Sequence, residues 1–285
     1  MTIQETLHRA TSRLAAGGIE TARLDAEVLL RHVLGVDRTQ LFLRYPDALP
    51  EDTDAAFEAL VRRRLDGTPV AYLTGTREFM ALPFQVGPGV LIPRPDTEPL
   101  VEWALGWLMD RPTARVADIG TGSGAIAISL AAHLPSTFAG EIVAIDTSPD
   151  ALGVARRNAD NLLPPPRQAW LRVAEGPLTR TLTGQVDLLL ANLPYLTPKQ
   201  ISENPDLDAE PRLALDGGAD GLDLIREVIA DLPRVLSSGG AAGFEIDPAQ
   251  EDSVVSLLQD TIPDAKVHTV LDLAGSSRHV VVTRS

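Results

Sequence analysis

Residues 115–132 read RVADIGTGSGAIAISLAA, which is an apolar run, a glycine-rich turn and a second apolar run. The first run has the length and composition of a buried strand, and the second has those of a helix. Gly120, Gly122 and Gly124 allow a sharp turn between the runs and let a ligand approach bare backbone. The stretch therefore predicts the opening strand and helix of an α/β sheet, with a small-molecule site at the turn.

Strand-like and helix-like runs alternate from this stretch to the end of the chain. The alternation predicts an α/β fold, a doubly wound, mostly parallel sheet that Arg278–Val282 closes as an antiparallel edge strand. Apolar spacing before residue 70 is helical, and short apolar stretches cut by Gly and Pro follow it. We therefore predict a helical-bundle domain over residues 1–73, a β-hairpin linker over 74–92 and an α/β domain over 93–285.

Composition excludes several classes of protein. The 285 residues include no cysteine, which rules out disulfides, thiolate catalysis and cysteine-ligated metal. The formal net charge of −14 has the wrong sign for a protein that binds phosphate backbones, so it counts against nucleic acid as a direct partner. No apolar run approaches the ~20 residues that span a bilayer, and the amino terminus lacks a signal-peptide pattern. We expect a cytoplasmic monomer without membrane association or bound metal.

Two features indicate a nucleotide-like cofactor. The N–H groups at the start of the helix after the glycine turn attract a carboxylate or phosphate. Asp146 ends the next strand-like run, where an acid can accept both hydroxyl protons of a ribose. Three alternatives stay open: a dinucleotide site, because Gly120-x-Gly122-x-x-Ala125 also fits that pattern, a purely structural turn, or Asp146 as a helix cap. The candidate cofactor residues are Asp118, Gly120, Thr121, Gly122, Ser123, Gly124, Asp146 and Asn192.

The tetrapeptide Asn192-Leu193-Pro194-Tyr195 follows a buried strand-like run, VDLLLA. A carboxamide nitrogen is a poor nucleophile because its lone pair is delocalised into the carbonyl group. The side-chain oxygen of Asn192 and the main-chain carbonyl of Leu193 can accept its two N–H bonds and hold the nitrogen in a reactive position. Tyr195 would stack on the flat amide, and Pro194 would fix the backbone. Although a strand-ending turn is the structural alternative, the motif favours methyl transfer from S-adenosylmethionine to nitrogen over hydride transfer.

Several further motifs resemble those of the peptide-chain release-factor glutamine N5-methyltransferases. They are Ala22–Glu27, Pro69–Gly75, Arg77–Phe79, Leu91–Glu98, Asp118–Gly124, Glu210–Gly218 and Asp272–Gly275. The resemblance implies a class I, Rossmann-like methyltransferase domain that takes S-adenosylmethionine as cofactor and methylates the glutamine in the Gly-Gly-Gln loop of release factors. It also implies that the helical domain helps to engage the release factor.

Leu193 departs from the family, which usually has proline there, and Asn-Leu-Pro-Tyr is typical of ribosomal RNA adenine dimethyltransferases. Leucine keeps the acceptor carbonyl but adds an N–H group that needs a partner. The family's frequent aromatic residue beside the adenine is missing near residues 174–177. The alternatives are amino-group methylation of nucleic acid, such as adenine N6, glutamine methylation of a ribosomal protein, and cofactor binding without catalysis. Arg94, Glu98 and Arg212 could contact substrate or hold the domains together.

Overall fold

The chain forms two compact units in a computed structural model that describes residues 1–272 and 275–285. One unit contains Met1–Thr76 with Pro205–Ala209, and the other contains Arg77–Asn204 with Glu210–Ser285. The three-part division at residues 73 and 92 stays a prediction. The family motif at 272–275 lies partly outside the described residues.

The first unit is helical. Its helices are α1 (Ile3–Ala16), α2 (Ala22–Leu34), α3 (Arg38–Leu43), α4 (Glu51–Leu65) and α5 (Val70–Thr74). The apolar positions spaced three and four residues apart on α1, α2 and α4 are buried together, so the predicted bundle is confirmed. Gly35 ends α2 in the left-handed conformation, where glycine carries no steric cost.

The arginine cluster at the end of α4 is only partly solvated. Arg62 and Arg63 are exposed, as expected for a solvated helix face. Arg64 instead donates through Nε to Asp25 Oδ2 at 2.7 Å, and the two side chains are only 15% and 9% exposed. The ion pair joins α4 to α2.

The second unit is a doubly wound α/β domain. Its strands are β1 (Thr76–Phe79) and β2 (Leu82–Gln85) in a separate hairpin, then β3 (Arg115–Ile119), β4 (Glu141–Asp146), β5 (Leu171–Glu175), β6 (Val186–Ala191), β7 (Leu236–Glu245), β8 (Lys266–Leu271) and β9 (Ser277–Thr283). Its helices are α6 (Glu98–Leu108), α7 (Ala125–His133), α8 (Pro149–Leu162), α9 (Pro165–Gln168), α10 (Pro198–Ser202), α11 (Asp223–Val235) and α12 (Glu251–Thr261). The main sheet has the order β5-β4-β3-β6-β7-β9-β8. Apolar residues of α6, α7 and α8 form the core on one face, and those of α11 and α12 form the core on the other.

The strand register brings the loops that follow β3, β4 and β6 to one edge of the sheet. β3 pairs in parallel with β4 and β6, and Ile119 lies level with Ile145 on one side and Ala191 on the other. The residues that follow these three strands therefore meet, as ligand-binding residues do at the carboxyl edge of an open sheet.

One sequence prediction was wrong in detail. β9 pairs with β7 and β8, so the strand that was expected at the edge is internal, and β8 is the edge strand. Burial explains the order, because Val280, Val281 and Val282 of β9 are fully buried, whereas exposed residues alternate with half-buried ones along most of β8.

No helix in the described part of the chain is both long enough and apolar enough to cross a membrane.

Candidate active site

The glycine-rich turn joins β3 to α7 at the carboxyl edge of the sheet. Gly120, Gly122 and Gly124 have φ values of 73°, 56° and 82°, the left-handed region that favours glycine. A Cβ atom on Gly124 would lie 2.6 Å from Ile128 Cδ1 and 3.3 Å from Ala155 Cβ. Backbone conformation and the packing of α7 against α8 therefore both require glycine at this position.

Asp118 at the end of β3 is fully buried below the turn. Its Oδ2 accepts hydrogen bonds from Thr121 Oγ1 at 2.5 Å and from the main-chain N–H of Ala127 at 3.2 Å. Its Oδ1 has no hydrogen-bond partner among the described residues. Burial raises the pKa of Asp118 to about 7, although both hydrogen bonds act to lower it. Asp118 thus lies beneath the turn, where it holds Thr121 and the start of α7 in place.

Asp146 at the end of β4 links two loops of the site. Its Oδ2 accepts from the main-chain N–H of Gly122 at 2.8 Å, and its Oδ1 accepts from that of Ser148 at 2.9 Å. Ser148 itself caps α8 by accepting from the N–H of Ala151. Capping is thus done by Ser148, and each Asp146 oxygen retains a lone pair for a ligand hydroxyl.

One cavity of about 440 Å³ is lined by part of the turn, by Asp146 and by the first three residues of the tetrapeptide, whereas Asp118, Gly124 and Tyr195 do not line it. This volume falls within the roughly 300–1,000 Å³ of small-molecule sites. The predicted residues in its wall are Gly120, Gly122, Asp146, Asn192, Leu193 and Pro194. Thr121, Ser123 and Asn192 also line a smaller adjoining pocket.

Leu178 is a wall residue that the sequence did not reveal. Its φ of 46° is unusual for a residue with a bulky side chain, and residues held in such conformations cluster at ligand sites. Trp170, the tryptophan nearest in sequence to residues 174–177, packs against Phe138 at 5.3 Å between ring centroids and does not line the cavity. The residue that lines the cavity just after this stretch is the apolar Leu178, and no local sequence pattern marks it.

Polar contacts with Thr97 and Glu245 hold the tetrapeptide in place. Asn192 Nδ2 donates to Thr97 Oγ1 at 3.0 Å, which leaves the side-chain oxygen of Asn192 free of that contact. Tyr195 Oη donates to Glu245 Oε1 at 3.2 Å. Burial, reinforced by the nearby Glu245, raises the pKa of Tyr195 above its usual range, so the phenol stays protonated. Leu193 is buried in the core of the unit.

Three charged residues of the sequence motifs contact other residues of the same unit. The pairs are Arg94 with Glu210, Glu98 with the main-chain N–H of Met80 at 2.7 Å, and Arg212 with Asp216 at 3.0 Å. Glu210 also accepts from the main-chain N–H of Ile92 at 2.9 Å. The structure therefore gives these three residues contacts within the framework of the α/β unit.

The comparisons with known proteins agree with this geometry. The profile of the PrmC N-terminal domain matches residues 5–75, and that of a methyltransferase domain matches residues 116–203. A release factor glutamine methyltransferase of Moorella thermoacetica is 41% identical over 280 residues, which cover 98% of this chain and 97% of the relative. The chain belongs to the release factor glutamine methyltransferase family. A second relative of that description, from Mycolicibacterium smegmatis, is 39% identical over 99% of this chain and 98% of its own length.

Similarity to a solved structure concerns the fold alone. The human methyltransferase 10 domain containing protein has a TM-score of 0.50 and 16% sequence identity, over 72% of this chain and 90% of that one. It shares the class I methyltransferase architecture of the α/β unit.

The methyl donor of the family is S-adenosylmethionine, and the residues of this chain fit it. Glycines in the left-handed conformation keep the turn free of side chains. Asp146 lines the cavity, and the lone pairs of its oxygens suit the ribose hydroxyls of the donor, whereas Asp118 is buried below the turn and supports it. The contact that each residue makes stays a prediction.

Proposed function

We propose that this chain transfers a methyl group from S-adenosylmethionine to the side-chain amide nitrogen of the glutamine in the Gly-Gly-Gln loop of peptide-chain release factors. One observation carries the proposal: Asn192, Leu193 and Pro194 line the same cavity as Gly120, Gly122 and Asp146. A site for an amide nitrogen therefore adjoins a site for a methyl donor. Full-length similarity to proteins described as release factor glutamine methyltransferases supports the choice of substrate.

The tetrapeptide supplies the orientation that an amide nitrogen needs. Bound S-adenosylmethionine supplies the sulfonium methyl group, which is the electrophile. Asn192 Oδ1 and the Leu193 carbonyl oxygen accept the two N–H bonds of the glutamine amide, so that its nitrogen is held in line for attack. Tyr195 presents its ring to the flat amide while its hydroxyl is bound to Glu245. The alkylated nitrogen then loses its extra proton readily, so the reaction requires no side chain as general base.

We assign cofactor binding to the carboxyl edge of β3, β4 and β6. Backbone N–H groups of the turn and the start of α7 face the anionic part of the cofactor, and acidic residues on both sides take its hydrogen-bond donors. The residues concerned are Asp118, Gly120, Thr121, Gly122, Ser123, Gly124, Asp146 and Asn192.

The helical unit is proposed to engage the release factor, as the PrmC N-terminal domain match over residues 5–75 favours. The net charge of −14 makes a protein substrate a better match than nucleic acid. We propose a monomer that acts in the cytoplasm, where translation ends.

A labelling experiment tests the proposal. Purified protein is incubated with labelled S-adenosylmethionine and a bacterial release factor, the same factor with its loop glutamine changed, a ribosomal protein fraction, or ribosomal RNA. Label on the intact factor alone is expected. Label on RNA or on the factor without the glutamine would assign another substrate, and label on ribosomal protein would assign the sister activity.

Asn192→Ala tests the residue that carries the mechanism. We expect kcat to fall by about 10²-fold or more, as when a positioned polar group is removed from a reacting centre, while cofactor binding persists. Asn161→Ala, at an exposed asparagine of α8, is the matched control and should leave turnover unchanged. Normal turnover by Asn192→Ala would refute the proposed role of the tetrapeptide.

A further inference from the structure

A buried carboxylate lies behind the tetrapeptide. Glu245, at the end of β7, is 1% exposed, and Thr97, just before α6, is 3% exposed. Thr97 Oγ1 donates to Glu245 Oε2 at 2.5 Å. Both residues lie in the α/β unit and contact the tetrapeptide, Thr97 through the same Oγ1 and Glu245 through its other oxygen, Oε1.

The contact with Glu245 determines that the Thr97 oxygen acts as an acceptor toward Asn192. A hydroxyl group has one proton, and once that proton is given to Glu245 the oxygen can only accept from other groups. Asn192 Nδ2 donates to this oxygen at 3.0 Å. The amide of Asn192 is thereby fixed with its nitrogen toward Thr97 and its oxygen away from it.

This orientation matters because an asparagine amide has nearly the same shape after a 180° flip. In the flipped orientation, Asn192 would present an NH₂ donor to the N–H donors of a substrate amide. Such a pair repels, and the nitrogen to be methylated would lose one of its two acceptors. Because the Thr97 oxygen gives its proton to Glu245, it can only accept from Asn192. This excludes the flipped form, in which the Asn192 oxygen would face another acceptor.

The same carboxylate also holds the other end of the tetrapeptide. Glu245 Oε1 accepts from Tyr195 Oη at 3.2 Å, while Oε2 accepts from Thr97. His279 faces Glu245 across the β7–β9 pair, with its Nε2 at 3.7 Å from Oε2. One buried group thus contacts both the Thr97 hydroxyl, which accepts from Asn192, and the Tyr195 hydroxyl.

We propose that Thr97 and Glu245 are positioning residues, which fix the Asn192 amide with its oxygen toward the substrate nitrogen. The inference rests on the proposed function, because it concerns how Asn192 receives the glutamine amide. It also gives a physical role to Thr97, a residue of the Leu91–Glu98 motif to which the sequence resemblance assigns no role.

The test compares three variants in methyl transfer to the release factor. Thr97→Val removes the hydroxyl but keeps the side-chain shape, and Thr97→Ser keeps the hydroxyl. Thr269→Val is the matched control, since Thr269 Oγ1 also donates to a carboxylate, Glu251, at 2.5 Å, but on the edge strand β8. We expect Thr97→Val to lower kcat by about 10- to 10²-fold with little change in KM or in the Kd of S-adenosylmethionine, as misplacement at a reacting centre does. Thr97→Ser should recover activity to within about 3-fold, and Thr269→Val should equal the wild type.

A double mutant separates positioning from a general structural effect. If Thr97 acts through Asn192, adding Thr97→Val to Asn192→Ala should lower kcat by less than about 2-fold further, because coupled residues are not additive. Independent, multiplying losses in the double mutant would refute the inference. Unchanged kcat in Thr97→Val would also refute it.

A second variant covers the case in which Thr97→Val does not fold. Glu245→Leu removes both acceptor oxygens from a side chain of similar size, so the Thr97 hydroxyl loses the acceptor that takes its proton, and the variant should show the same fall in kcat with retained cofactor binding. Full activity of Glu245→Leu would overturn the inference. A wild type that does not methylate the release factor would overturn the proposed function instead, and this inference with it.

Discussion

Replacing Asp118 by asparagine should change how the stability of the α/β unit depends on pH. The carboxyl is fully buried, and burial raises its pKa from 3.8 to about 7. A group whose pKa is raised in the folded state contributes full stability below its unfolded pKa and loses that stability as the pH rises through its folded pKa. Between these two values the unfolded chain ionises Asp118 while the folded chain keeps it protonated, so the wild type loses stability as the pH rises, whereas Asp118→Asn does not.

The size of the effect follows from the two pKa values. Their separation corresponds to about 4 kcal/mol over the whole titration, at roughly 1.4 kcal/mol for each pH unit. Between pH 5 and pH 8, the linkage relation gives about 2.5 kcal/mol. The free energy of unfolding of Asp118→Asn should therefore rise relative to the wild type by this amount. A constant cost of burying the new NH₂ group would shift the whole difference without altering its change with pH.

Urea unfolding without cofactor at several pH values measures this difference. The three tryptophans, Trp103, Trp107 and Trp170, all lie in the α/β unit, so their fluorescence reports on that unit. Glu141→Gln is the control. Burial acts to raise the pKa of Glu141, but hydrogen bonds from Arg115 and Arg172 outweigh it and hold the pKa below its usual value of 4.5. The stability that Glu141 contributes is fully present above that usual value and is lost only as the pH falls below it, so the difference between Glu141→Gln and the wild type should stay nearly constant from pH 5 to pH 8. A stability difference between Asp118→Asn and wild type that stays constant from pH 5 to pH 8 would refute the reasoning.

Two further substitutions test the glycine-rich turn and the wall of the cavity. Gly124→Ala places a methyl group 2.6 Å from Ile128 Cδ1 at a φ of 82°, and it should destabilise the unit by about 1–3 kcal/mol in urea. Gly153→Ala, a helical glycine whose closest neighbour would be Arg157 Nη1 at 3.6 Å, should be neutral or stabilising. Leu178→Gly relieves a φ of 46° but removes an apolar wall, so the affinity for S-adenosylmethionine in calorimetry should fall by about 10-fold while stability changes little. Unchanged affinity would exclude Leu178 from the cofactor wall.

The fold was predictable where the signal is local. The β3 strand, the glycine turn, α7 and the strand before the tetrapeptide each combine an apolar run with a recognisable end, and the structure confirms them. The short helices α3 and α5 and the edge strand β8 were not predicted. Each is short or only half buried, so its apolar pattern is too weak to stand out from a loop.

The site was predictable only in part, for a different reason. The glycines and the tetrapeptide are contiguous motifs, whereas the support behind them comes from distant parts of the chain. Thr97 is 95 residues from Asn192 and 148 from Glu245. No pattern within one window encodes such a contact, because it depends on the register of β6 and β7 and on the segment before α6. Leu178 was not predicted for a similar reason, because a leucine with a left-handed backbone conformation has no sequence signature.

Leu193, the departure from the usual proline of the family, can be explained through the turn that faces it. Its side chain is 3% exposed and belongs to the core cluster that also contains Ile119 and Ala191. A Cβ atom on Gly120 would lie 2.9 Å from Leu193 Cδ2. Glycine at 120 is therefore needed for its φ of 73° and also for the space that the leucine side chain occupies. Leucine and proline have the same main-chain carbonyl, which is the proposed acceptor for the substrate amide, so the substitution changes the packing between the tetrapeptide and the turn while keeping that proposed acceptor.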